Sequence, residues 1–438
     1  MELFPDPADS LESLAARLQA GSLTCRELVE RCLQRIAERE AEIRAWVVVD
    51  AEGARRQADE RDRELNSGLR RGPLHGIPIG IKDLFDVQGW PTGAGSRLLG
   101  QGPPASEDAV AVARLRAAGA VILGKTVTTP YASFDPPPTR NPWNPARTPG
   151  GSSSGSAAAV ATGMCLAALG SQTGGSITRP ASYCGVAGCK PTYGLVSVRG
   201  VFPLAPSMDH VGPIARCVGD LARLLDVIAD VPPGLCSVTV TKPPRIGRLR
   251  GFFQDQANPE AWELFEQSLR RLREAGAEVQ DVSLPPSFAD IHRQHRIIMA
   301  VEAAALHDAR FRQHPDDYPP RITELLTEGL NTSAVEYAKA RQQQERAKEE
   351  VLNCFRDCDV LAAPATTGPA PDASSTGDPA FNSPWSFTHL PVVSFPIGLS
   401  SDGLPLALQL IGKPFEERRL FAVAMWCQQK GRSSQQRY

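Results

Sequence analysis

Lysine is scarce in this chain, with 8 among 438 residues against 39 arginines. Aromatic residues make up only 6%, and the net charge is −2. A near-neutral chain exerts no long-range pull on nucleic acid or on an anionic bilayer. The longest apolar run, 157–169, is broken by Thr162 and Gly163 and is too short to span a membrane. The acidic opening Met1–Asp6 lacks the basic segment of a secretory signal. Among 10 cysteines there is no C-x-x-C pair, and none stands near a histidine at zinc spacing. Cys354 and Cys358, one helical turn apart, fit packing better than ligation. Reduced, mostly buried thiols in a cytoplasmic protein are expected, with no metal and no cofactor.

What is present suits a soluble globular protein. Hydrophobic residues reach 42% and charged residues 22%, and the chain is long enough to bury a large core without disulfides. Thr24-Cys25-Arg26-Glu27 forms a capping box before an apolar stripe at Leu28, Cys32 and Ile36. A shorter helix before it carries Leu11, Leu14 and Leu18 and ends at Gly21. Ile77–Ile81 reads as an extended run. Residues 108–118 read as a helix closed by Gly119, followed by a buried strand at 120–123. The same unit recurs, with a helix opened by Asn258-Pro259, closed by Gly276, and a strand over 278–284. Strands are expected at 360–363, 392–399 and 406–411, and helices at 333–355 and 416–429. The small-residue run 157–169 is expected to be one buried helix. Helices alternating with short apolar strands predict an α/β fold, one compact domain with a mixed or mostly parallel sheet covered by helices on both faces. The domain is expected to span 1–430, with a polar tail at 431–438.

Two familiar motifs fail on context. Gly119 to Thr126 fits the phosphate-loop pattern G-x-x-x-x-G-K-T, but its middle is a strand and no helix follows. Gly151-Ser152-Ser153-Ser154-Gly155 fits the nucleophile elbow G-x-S-x-G, which needs a preceding strand. Three prolines between Asn141 and Pro149 exclude one. His389, the best placed downstream histidine, precedes Pro391 in a loop.

Three pieces remain. Lys82 ends an apolar run in Gly80-Ile81-Lys82-Asp83. Serines crowd a glycine-permitted bend over Pro149–Ser156. Gln172-Thr173-Gly174-Gly175-Ser176 offers successive amides that can converge as an anion nest. In this order, with Gly76-Ile77-Pro78, Lys190–Gly194 and Ser207–Pro213, the set resembles the amidase signature family. The match covers nearly the whole chain and is densest over 73–216.

The resemblance implies a Ser-cisSer-Lys triad: Ser176 the nucleophile, Ser152 the bridging serine in a cis peptide, Lys82 the base. Thr173, Gly174, Gly175 and Ser153 fall on the oxyanion and substrate side. A serine hydroxyl needs a base, and a lysine serves as one only when desolvated and free of a close carboxylate. Alternation along the strand turns Asp83 away from Lys82. Many members read G-G-S-I-R-x-P, whereas here Arg179 stands three residues after Ser176. That shift resembles malonamidase-type members and implies an arginine that grips the carboxylate of a short diacid monoamide. The expected activity is amide hydrolysis through an acyl-serine with ammonia release, without direct nucleic-acid or membrane contact; the sequence leaves a homodimer open. The alternatives are the A subunit of a glutamyl-tRNA amidotransferase, working with partner chains, and a broad acylamidase.

Overall fold

A capping box needs both halves to close, and both do. Thr24 caps the helix Cys25–Ile43 through its hydroxyl, while Glu27 reaches back to the Thr24 amide. The stripe behind it, Leu28, Cys32 and Ile36, is buried. The same logic opens Pro259–Glu274, whose Asn258 side chain accepts from Glu260 N. The computed structural model describes residues 3, 6–232, 234–238 and 242–431. The expected polar tail at 431–438 lies outside the described residues beyond Gly431.

The strands are β1 Trp46–Val49, β2 Pro78–Lys82, β3 Val121–Thr126, β4 Ala167–Gln172, β5 Ala187–Lys190, β6 His210–Ala215, β7 Arg245–Leu249, β8 Glu278–Val282, β9 Val360–Pro364, β10 Val392–Leu399 and β11 Pro405–Ile411. They form one sheet in the order β1-β3-β2-β4-β6-β5-β10-β11-β9-β7-β8. Among the described residues six pairings are antiparallel and four parallel, so of the two sheets expected the mixed one is present. Helices flank this sheet, and the apolar core runs along its whole width.

The run 157–169 is not one helix. A helix covers Ser154–Ala161, the chain turns at Thr162 and Gly163, and β4 follows. Gly163 has φ +72°, which ends the helix. The helix Ser154–Ala161 is buried from Ser154 to Val160 and approaches β3 closely. A side chain on Gly155 would stand 2.2 Å from the Ala45 carbonyl oxygen. The two parallel neighbours of β2, which are β3 and β4, carry their C-terminal ends to the same edge as Lys82. A crevice outside the carboxyl ends of parallel strands is where α/β sheets place their ligands.

Candidate active site

Lys82 ends β2 with no exposure to solvent. Its Nζ lies 2.8 Å from Ser152 Oγ, 2.9 Å from Ser171 Oγ and 3.4 Å from Ser171 O. Burial pushes the ammonium well below the ordinary 10.5; the charge of Asp209 opposes this more weakly. Asp83 turns away, as alternation requires. It pairs with Lys125 at 2.8 Å and accepts from Gly93 N at 3.2 Å. Lys125, the lysine of the apparent phosphate loop, is therefore a buried partner within β3.

The serine-rich bend distributes its hydroxyls to four different tasks. Ser152 faces Lys82, and the Gly151–Ser152 peptide is cis. Ser153 donates to Ser171 O at 3.2 Å and accepts from Ser171 N at 3.3 Å. Its hydroxyl is thus a clip between the bend and β4, where a substrate contact was expected. Ser154 donates to Gly150 O and Ser156 to Leu169 O. None of them caps the helix that follows. The Ser153 amide donates to the Ser176 carbonyl at 3.1 Å, which brings the second serine beside the first. Ser176 is 8% exposed, in contrast to the sealed Lys82. Its hydroxyl has no hydrogen-bond partner among the described residues.

Beyond β4 the chain turns so that its carbonyls are tied down one after another. Thr173 O accepts from His295 Nε2 at 3.0 Å, Gly174 O from Gln172 Nε2 and Ser386 Oγ, both at 2.9 Å, and Gly175 O from Arg179 N at 2.9 Å. In a trans peptide the next N–H points opposite to the carbonyl. The Gly174, Gly175 and Ser176 amides are thereby turned to the other side, and none of them donates to a described residue. Gln172 anchors the turn from within, since its Oε1 accepts from Ile177 N at 2.8 Å and Thr178 N at 3.0 Å. Thr173 Oγ1 donates to Asp209 at 2.5 Å. Burial raises the Asp209 carboxyl, while that hydroxyl and the Leu204 and Ala205 amides hold it down.

Arg179 is 2% exposed, and its Nη2 donates to Gly151 O at 2.8 Å and to Thr376 Oγ1 at 3.5 Å. Its Nε and Nη1 are buried without a partner among the described residues. Burial lowers this guanidinium, and Tyr183 and Asp378 oppose the fall. The 369–379 loop thus supplies Thr376 to the site wall. His389 takes no part in the serine cluster: it stacks on Tyr193 at 4.2 Å between ring centres and its Nε2 meets Ser207 O.

Lys82, Ser152, Ser176, Arg179 and the Thr173–Gly175 turn are brought to one place. Ser171 and His295 were not foreseen. Ser171 carried no local signal; only the pairing of β2 with β4 makes it a neighbour of Lys82. His295 comes from the helix Ile291–Gln313, far along the chain. Among the described residues no group of three or more His, Cys, Asp or Glu is placed to hold a metal ion, and no helix is long and apolar enough to cross a membrane.

A fold with this edge and this cluster belongs to a recognised class. The family described as Amidase matches residues 27–421, and the chain belongs to it. It is an enzyme family acting on amide C–N bonds. A curated relative from Roseiflexus sp. (strain RS-1), the A subunit of a glutamyl-tRNA(Gln) amidotransferase, is 37% identical over 94% of this chain and 94% of its own. The peptide amidase of Stenotrophomonas maltophilia superposes with a TM-score of 0.84 at 32% identity, over 98% of both chains. A structure from a vestigial protein complex related to an s-triazine catabolic enzyme gives 0.89 at 34% identity, over 95% of this chain and 97% of its own. These names support the amidase family and do not single out the malonamidase branch expected from the sequence.

Proposed function

We propose that the chain cleaves a small primary amide whose acyl half bears a carboxylate, through an acyl-Ser176 intermediate. A neutral lysine has two N–H donors and one lone pair. The two donors suit Ser171 Oγ and O, which leaves the lone pair for the Ser152 hydroxyl at 2.8 Å. Ser176 Oγ attacks the carbonyl carbon while its proton passes through Ser152 to Lys82. The oxyanion is met by the amides of the Gly174–Ser176 turn. Collapse breaks the C–N bond, the relayed proton returns to the nitrogen, and ammonia leaves. Water then repeats the cycle on the ester and frees the acid.

The observation that carries the substrate class is Arg179. A guanidinium sealed from water, with Nε and Nη1 unpartnered among the described residues, is costly unless an anion completes it. Malonamate and glutamine both bear such a carboxylate. The offset of Arg179 from Ser176, which resembles malonamidase-type members, favours the shorter acid. The name of the curated relatives favours a second reading, in which glutamine is the amide and the chain is the A subunit of an amidotransferase.

Ammonia release from malonamate, glutamine and a neutral amide of similar size tests this. Arg179→Ala is expected to lower kcat/KM for the carboxylate-bearing amides by about 10- to 100-fold and to spare the neutral one. Equal damage to all three would make Arg179 a structural tie to Gly151. Malonamate cleaved by the isolated chain supports the short-acid reading. Glutamine cleaved only with partner chains supports the amidotransferase reading. A wild-type preference for the neutral amide would sink the carboxylate class and leave the amidase chemistry standing.

A further inference from the structure

The donors that fix the Gly174 and Gly175 carbonyls come from the turn itself and from Ser386, but the Thr173 carbonyl depends on one distant side chain. His295 Nε2 lies 3.0 Å from it. A carbonyl only accepts, so Nε2 carries the proton and the tautomer is set. His295 is 4% exposed, and burial pushes its imidazole down to about 4, so the ring is neutral near pH 7. Gly174, whose N–H belongs to the same peptide plane, has no side chain to restrict its rotation. A Cβ added there would stand 3.6 Å from His295 Cε1, so the ring lies directly against this residue. His295 and Gly174 also line one cavity of about 470 Å³, with Phe134, His292, Met299 and Asp378. That cavity borders the Thr173–Gly174 peptide on the side of His295.

We propose that His295 is a positioning residue of the oxyanion hole: its Nε2–H holds the Thr173 carbonyl and so aims the Gly174 amide at the oxyanion. The proposal rests on the reading of Ser176 as nucleophile. It gives the helix Ile291–Gln313 a part in the chemistry without contact with the reacting atoms.

The test uses 4-nitrophenyl acetate, whose nitrophenolate release reports acylation directly. His295→Leu is expected to slow acylation by about 10- to 100-fold with KM changed less than about twofold, since the lost alignment acts on the transition state. His295→Gln, whose Nε2 amide reaches the same carbonyl, is expected to recover most of the rate. Should the leucine variant fail to fold, His295→Asn, one methylene too short to reach, replaces it in the comparison. Unchanged acylation without the donor would overturn the proposal. So would equal loss in the glutamine variant at an unchanged melting temperature, because that pattern belongs to ring packing. Nitrophenolate release surviving in Ser176→Ala would remove the nucleophile reading, and this proposal with it.

Discussion

In the proposed chemistry Lys82 is the base, and its burial has two measurable consequences. Lys82→Ala is expected to cost about 10²–10⁴ in kcat, the usual worth of a general base. In the wild type, kcat/KM should rise with pH as Lys82 loses its proton, at a pH well below 10.5. Stability follows the same titration. Between the lowered folded pKa and 10.5 the unfolded chain holds the extra proton, so wild-type stability rises with pH there. The slope is about 1.4 kcal/mol per pH unit and vanishes below the folded pKa, where both states are protonated. Lys82→Met lacks this slope, so urea unfolding of both proteins from pH 7 to 10 should show wild type gaining on the variant. A constant difference would mean Lys82 stays charged in the fold. That Lys82, Ser152 and Ser176 come together was legible because their motifs, taken as an ordered set, resemble the amidase signature family. Ser171 and His295 were not, because the sheet register and a distant helix bring them in, and neither leaves a mark in the flanking residues.

At the scale of elements, capped and amphipathic segments were legible and small-residue segments were not. Thr24, Asn258 and Ser333 each cap the helix expected after them. The helix Ala51–Asn66 went unassigned, because its polar composition hides a stripe of only Ala54, Ala58 and Arg61. Strands β4, β5 and β6 are buried at every position, and β4 and β5 are built largely of Ala, Gly, Ser and Cys. With both faces covered they show no alternation, and few β-branched residues mark them. β6 even carries Pro213 opposite Leu169 of β4. Small residues let the helix Ser154–Ala161 settle onto the sheet and hold the serine bend against Lys82. Gly155→Ala would drive a Cβ into backbone at Ala45 and Val127. A loss of about 1–3 kcal/mol is expected from such overpacking, read as a lower urea midpoint together with lower activity. Gly219→Ala, in the helix Val218–Ile228 with open space around the added carbon, is the control. It should be neutral or stabilising by up to about 1 kcal/mol.

For the whole molecule, an α/β class followed from helices alternating with short apolar runs, but the order of eleven strands did not. Strand order depends on long crossovers whose lengths say little about which edge they reach. That order matters to function. It sets β2 beside β4, so that Lys82 and the Thr173–Ser176 turn open at one sheet edge, and it brings the Thr376 loop and the helix Ile291–Gln313 over them. The central claim is that this edge builds an acyl-enzyme on Ser176. Mass spectrometry of the protein quenched during turnover of 4-nitrophenyl acetate tests it most directly. An added acetyl mass on the peptide containing Ser176, absent in Ser176→Ala, is the expected result. Acetyl on Ser153, with Ser176→Ala still active, would contradict it.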